Sequence, residues 1–153
     1  MKRIFLRSQT LRLERPQFKP NPARADNLMV IVKTVRVLIA DDNVLFAQTL
    51  EMILEDDERF EVVGSARDGL EAVELAESLH PDVVLMDIAM PRVDGLEATR
   101  RLRELGSPVH VIVLTESDFP GDIVRAERSG ADGYVPKTRL VQRLREAILD
   151  AAR

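Results

Sequence analysis

Val35-Arg36-Val37-Leu38-Ile39-Ala40 runs straight into Asp41-Asp42, and the same device recurs at Val83-Val84-Leu85-Met86 before Asp87 and at Val109-His110-Val111-Ile112-Val113-Leu114 before Thr115. Each run is short, mostly apolar and rich in β-branched side chains, the pattern of a strand covered on both faces. Glu61 to Ala66 and Gly133 to Pro136 are weaker strand candidates, the second followed by Lys137. Between these runs, apolar residues recur at helical spacing: Phe46, Leu50, Ile53 and Leu54; Leu70, Val73 and Leu79; Leu96, Thr99 and Leu102; Val141, Leu144 and Ile148. Each of these segments is expected to bury one face on the sheet.

Strand and helix thus alternate about five times, which argues for an α/β domain over residues 35–153: a doubly wound, five-stranded parallel sheet with right-handed crossovers. Pro136 cannot donate a ladder hydrogen bond, so the last strand belongs at an edge. The less apolar Glu61-Val62-Val63 run suits the other edge. The order 2-1-3-4-5 follows, with its topological switch point between strands one and three.

Residues 1–34 differ in kind. They carry eight Lys or Arg against Glu14 and Asp26, a balance of +6, whereas the chain as a whole is at -4, leaving residues 35–153 at -10. Pro16, Pro20 and Pro22 break any helical pattern, and the expectation is a basic, disordered N-terminal extension. Nucleic acid or anionic lipid is the alternative use of such charge. Neither Ile4-Phe5-Leu6 nor Leu28 to Val32 is long enough for a secretory signal or a membrane span, so a cytoplasmic location with no membrane partner is expected. With no cysteine in the chain, disulfides, thiolate metal sites and thiol nucleophiles drop out.

In an open α/β sheet, ligands bind beyond the carboxyl ends of the strands at the switch point. The residues falling there are Asp41 and Asp42 after strand one, Asp87 after strand three, Thr115 after strand four and Lys137 after strand five. Taken singly each has a plain reading: Asp41 or Asp42 as the cap of the helix near Val44, Thr115 as a strand end, Lys137 as a solvated charge. Together, three carboxylates at one sheet edge call for a hard divalent cation. Mg²⁺, with its oxygen ligands, fits better than zinc or copper because no His or Cys falls at these positions. A carboxylate beside such a cation and a lysine is placed to attack a phosphoryl group, and Thr115 can donate to the same oxygens. His80 and His110 precede strands three and four, at the far end of the sheet, and are not read as catalytic.

Val37-Leu38-Ile39-Ala40-Asp41-Asp42-Asn43, Val84-Leu85-Met86-Asp87-Ile88-Ala89-Met90-Pro91 with Asp94-Gly95, Val113-Leu114-Thr115, and Gly130-Ala131-Asp132-Gly133-Tyr134-Val135-Pro136-Lys137 together resemble the receiver domain of two-component response regulators, in details most like receivers that precede helix-turn-helix output domains. The resemblance implies a flavodoxin-like receiver fold and a phosphorelay role. Asp87 would be the phosphoacceptor, served by the phosphohistidine of a sensor histidine kinase. Asp41, Asp42, Asp87 and the backbone carbonyl of Ala89 would hold Mg²⁺. Lys137 would contact the phosphoryl oxygen, and Thr115 and Tyr134 would form the switch pair. It further implies partner contacts, homodimerisation among them, through the fourth helix, fifth strand and fifth helix. The chain would be no enzyme beyond catalysing its own phosphorylation and dephosphorylation.

Two positions depart from the family pattern. Pro136 precedes Lys137, and Thr138 follows where many receivers have proline, so a cis bond there would cost about 3–4 kcal/mol. Glu116 follows Thr115 where a small residue is usual, which puts an extra carboxylate at the mouth of the site. Rival readings lack support: an Asp-dependent phosphohydrolase of the haloacid-dehalogenase type needs an acid two residues past its nucleophile, where this chain has Ala89. A degenerate, unphosphorylated binding module usually lacks one of the acidic residues, and all are present. No DNA-binding domain follows the last helix, Leu140 to Ala152, so a stand-alone receiver and a receiver cut from a larger protein are both open.

Overall fold

The computed structural model describes residues 11–14 and 30–153. Within the basic segment, Leu11–Glu14 (β1) and Val30–Lys33 (β2) pair antiparallel, with Leu11 opposite Lys33 and Glu14 opposite Val30. The expected disordered extension therefore contains a four-residue ladder. Leu11-Arg12-Leu13-Glu14 has the apolar–polar alternation of a strand, over too short a run to stand out beside the neighbouring prolines. The rest of that segment lies outside the described residues.

Five strands form the main sheet: β3 (Val35–Ala40), β4 (Phe60–Ala66), β5 (Val83–Asp87), β6 (His110–Thr115) and β7 (Gly133–Pro136). All neighbours are parallel, in the spatial order β4-β3-β5-β6-β7, which counted within the sheet is 2-1-3-4-5. Pro136 and Glu61 fall on the two edge strands, as expected. Helices α1 (Val44–Glu55) and α5 (Leu140–Ala151) cover one face, while α2 (Gly69–Leu79), α3 (Gly95–Glu104) and α4 (Pro120–Ser129) cover the other.

The period-two alternation of β3 divides it between two cores. Val37 and Ile39 pack with Leu50, Leu54, Leu144 and Ile148, and Leu38 and Ala40 pack with Val73, Leu96 and Leu102. From Val37 to Ala40 both faces are buried, so this part of the strand reads as an unbroken apolar run. Each fully buried leucine contributes about 1.5–3 kcal/mol by leaving water. All five residues of the central strand β5 are buried, which places Asp87 at the end of the most enclosed strand in the sheet.

Several local expectations change. Neither Asp41 nor Asp42 caps α1: the Asn43 side chain does, accepting from the Phe46 N–H at 3.1 Å. Leu140, not Val141, leads the buried stripe of α5, and Val141 is 69% exposed. A 3-10 turn over Lys137–Arg139 sets the helix phase so that Leu140, Leu144 and Ile148 share the inner face. Leu70 likewise turns half outward, leaving Val73 and Ala76 to bury α2. Gly64 sits inside β4, where the register slips between Val37 opposite Val62 and Leu38 opposite Gly64. Helix α4 has no strong apolar stripe to announce it, since it buries only Ala126 and Ser129. No helix among the described residues is long and apolar enough to cross a membrane.

Candidate functional site

Strands β3, β5, β6 and β7 deliver their last residues to one edge of the sheet. Asp41 leaves β3 with its backbone N–H on the Ala66 carbonyl at 3.0 Å, and its Oδ1 accepts from the Asn43 N–H at 2.8 Å. That turn fixes the Asp41 carboxylate inside the protein and leaves Asn43 free to cap α1. Asp42 is exposed, and Asp87 is only 6% exposed. One oxygen from each of Asp41, Asp42 and Asp87 can be chosen so that all lie within 4.8 Å of one another.

Lys137 reaches into this group from the turn after β7. Its Nζ lies 3.1 Å from Asp87 Oδ1, 3.3 Å from Asp41 Oδ2 and 3.2 Å from Glu116 Oε1. The Phe46 ring of α1 stands 4.3 Å from the same nitrogen, a cation–π contact. The chain has no cis peptide bond among its described residues, so the link from Lys137 to Thr138 is trans and the lysine still reaches the carboxylates.

Burial pushes the Asp87 carboxyl up to about 6, the Asp41 charge adds to this, and Lys137 opposes it. For Lys137, burial works against its charge. Contact with Asp87, the charges of Asp87 and Asp41, and contact with Glu116 together outweigh that and hold its pKa above the ordinary value. Three carboxylates against one ammonium leave the pocket short of positive charge.

Thr115 ends β6, one residue beyond Leu114, which lies opposite Asp87. It is 1% exposed and its Oγ1 has no hydrogen-bond partner among the described residues. An unpaired buried hydroxyl costs stability, so Thr115→Val is expected to leave the unfolding free energy unchanged or raised by about 0–1 kcal/mol. A clear loss of stability in a thermal melt would show that the hydroxyl has a structural partner. Tyr134 lies opposite Val113 on the edge strand, half-buried, with the Arg143 guanidinium 6.0 Å from its ring centre. The structure thus gathers Asp41, Asp42, Asp87 and Lys137 in one cluster, with Thr115 on the adjoining strand and Tyr134 farther out on β7. Ala89 is exposed in the loop two residues past Asp87.

That loop is tied down by contacts that the sequence pattern does not single out. Gly95 N–H donates to the Ile88 carbonyl at 2.8 Å and Gly69 N–H to the Val93 carbonyl at 2.9 Å. Arg92, in the left-handed region at φ 65°, donates to Asp68, with its Nε 3.0 Å from Oδ2. Asp68 also caps α2 through the Glu71 N–H, and this bond, with Arg92, holds its carboxyl below the ordinary value. The signal for this tie is a capping Asp at one helix start and an Arg in the loop before another, 24 residues apart, which no local pattern joins. Helical spacing marks Phe46 only as core. Its place in the first turn of a helix that begins at the acidic pair is what brings it to Lys137. His80 ends α2, and His110 begins β6 beside Asp132, both away from the cluster.

A family model of the response regulator receiver domain matches residues 37–149. The chain belongs to this family. It is similar to the transcriptional regulatory protein DegU of Brevibacillus brevis, 40% identical over 122 residues that make up 80% of this chain and 52% of DegU. The chain thus spans about half the length of that relative. Among solved structures, the receiver domain of the putative response regulator NarL from Mycobacterium tuberculosis superposes with a TM-score of 0.75 at 34% identity, covering 78% of this chain and 96% of that one. CheY in the CheX–CheY–BeF3–Mg²⁺ complex from Borrelia burgdorferi gives 0.71 at 25%, covering 78% and 89%. The match to the receiver family runs from inside β3 to near the end of α5, so it embraces every residue of the cluster.

Proposed function

We propose that this receiver accepts a phosphoryl group on Asp87 in a Mg²⁺-dependent reaction and converts the added charge into altered partner contacts. The observation that carries the reading is the ammonium of Lys137 lying 3.1 Å from Asp87 Oδ1 in a pocket of three carboxylates. A cation fits there: three mutually close carboxylates with a raised Asp87 pKa form a site that a hard divalent ion relieves. Asp41, Asp42, Asp87 and the Ala89 backbone carbonyl would hold Mg²⁺, the metal named for the Borrelia CheY complex. When bound it supplies positive charge against the phosphoryl oxygens.

The protein's own residues do the rest. An Asp87 oxygen forms the new bond to phosphorus while the bond from phosphorus to the donor's histidine nitrogen breaks, the donor being a sensor histidine kinase. Lys137 stands beside Asp87 to neutralise the oxygens in transfer. Ala89 offers no acid to protonate a leaving group, so the site stores the phosphoryl group and does not turn over as a hydrolase. The unpartnered Thr115 hydroxyl gains an acceptor when phosphoryl oxygens arrive, and Tyr134 transmits the shift outward. A groove of about 450 Å³ between β7 and α5, lined by Tyr134, Arg143, Glu146 and Asp150, lies on the face that α4, β7 and α5 would offer to an output domain or a second copy.

The reading is tested by incubating the protein with acetyl phosphate, with and without Mg²⁺, and measuring intact mass. The expected result is an increment of one phosphoryl group that needs Mg²⁺. No increment under any Mg²⁺ concentration would leave the unphosphorylated binding module as the better account.

A further inference from the structure

Lys137 has three N–H donors, and three carboxylates stand within 3.3 Å of its nitrogen. They differ in how free they are. Asp41 has a fully buried side chain fixed by the Asn43 N–H, and the Asp87 side chain is 8% exposed. The Glu116 side chain is 81% exposed. Phe46 packs against the same ammonium. The solvent side of the cation is therefore guarded by one exposed carboxylate, on the residue after Thr115. An exposed ion pair of this kind adds little to stability, so its consequence lies in the local field. Any phosphodonor approaching Asp87 brings anionic oxygens toward an ammonium that already holds Glu116.

We propose that Glu116 selects among phosphodonors, penalising small donors in proportion to their negative charge by occupying the solvent side of Lys137. The inference rests on the reading of Asp87 as acceptor. With an acyl phosphate, a dianion near neutral pH, an Asp87 oxygen bonds to phosphorus as the bond from phosphorus to the carboxylate oxygen breaks, and carboxylate leaves with the electron pair. With a phosphoramidate, less negatively charged because its nitrogen carries a proton, the phosphorus–nitrogen bond breaks and the protonated amine leaves as neutral amine. Both routes end in the same phosphoryl-Asp87, so a difference between them reports on approach and transfer, not on product. Phosphohistidine belongs to the nitrogen-linked class. Glu116 thus biases the receiver toward a kinase and insulates it from free acyl phosphates.

The test compares wild-type protein with Glu116→Gln, measuring rate constants for phosphoryl uptake from acetyl phosphate and from phosphoramidate in the same Mg²⁺ buffer. Glu116→Gln is expected to speed uptake from acetyl phosphate about tenfold and from phosphoramidate by no more than about threefold, in the range of electrostatic effects on association. Added salt is expected to narrow the wild-type deficit with acetyl phosphate, as screening requires. Mg²⁺ affinity, followed by titration calorimetry without any donor, is expected to stay within about twofold, since Glu116 is not one of the clustered carboxylates. Equal acceleration of both donors, no acceleration of either, or a parallel change in Mg²⁺ affinity overturns the proposal while leaving Asp87 as acceptor. Failure of the wild-type protein to take up phosphate from either donor overturns both.

Discussion

Asp87→Asn is expected to abolish phosphoryl uptake and, in Mg²⁺-free buffer at neutral pH, to make the protein more stable than the wild type. The first effect follows from chemistry: an amide oxygen is a poor nucleophile toward phosphorus. The second follows from the position of the group. Asp87 closes a strand whose five residues are all buried, and burial together with Asp41 moves its pKa from 3.8 to about 6 in spite of Lys137. A tenfold change in proton affinity corresponds to about 1.4 kcal/mol. Ionised Asp87 therefore costs the fold about 3 kcal/mol relative to the same group in an unfolded chain.

The sign of the pH dependence follows. A carboxyl whose folded pKa is raised binds its proton more tightly in the native state, so its penalty is absent below about pH 4 and grows as the unfolded chain ionises. It reaches its full size above about pH 6, where the native group has ionised too. Asp87→Asn should melt at the same temperature as wild type near pH 4 and about 6–12 °C higher at pH 7.5, given about 2–4 °C per kcal/mol for a chain of this size. Saturating Mg²⁺ should shrink or reverse the gap, because the wild-type protein gains binding energy that the variant, short of one carboxylate, gains less of. A variant less stable than wild type at pH 7.5 without metal would mean that the Lys137 contact outweighs burial. A variant that still incorporates phosphate stably would remove Asp87 from the acceptor's role.

Why these residues meet is largely visible in the chain. Runs such as Val83-Val84-Leu85-Met86 read as strands because both faces are buried, and a polar residue after each run marks where the strand leaves the core. Which way each polar residue then turns is decided by backbone contacts with other strands. Asp41 turns inward because its carboxylate is bound by the Asn43 N–H, and the cap passes to Asn43. Val141 and Leu140 fit a helical stripe equally well until the turn at Lys137–Arg139 fixes the phase. Helix α4 stays hidden because Ala126 and Ser129 carry too little apolar surface to form a pattern. The contact of Lys137 with Phe46 joins residues 46 and 137, and that of Arg92 with Asp68 crosses from one loop to another. Such pairs depend on the assembled sheet, so no window of sequence contains them.

Gly95→Ala is expected to damage both the fold and phosphoryl uptake. A Cβ at this position would lie 2.0 Å from the carbonyl oxygen of Asp87 and 2.9 Å from Met86 Cγ. Both obstacles belong to β5, which is pinned between β3 and β6, so α3 must shift instead. That shift would strain the bond from the Gly95 N–H to the Ile88 carbonyl and pull on the Asp94 cap that accepts from the Glu97 N–H. Overpacking against immobile backbone costs about 1–3 kcal/mol, and more where a cap and a loop move with it. Gly106 provides the control: it is at φ 72° and a Cβ added there would meet nothing within 4 Å, so Gly106→Ala should cost only the left-handed strain of about 1–2 kcal/mol. Urea titrations of the two variants should show Gly95→Ala losing more stability than Gly106→Ala. Because the obstacle is the backbone of Asp87 itself, the same variant should also take up phosphate at least about tenfold more slowly, a loss expected when a nucleophile is displaced by a fraction of an ångström. Gly106→Ala, remote from the carboxylates, should keep the wild-type rate; equal stability losses and equal rates for the two would mean that α3 yields freely and that the close approach of its first turn to β5 does not position Asp87.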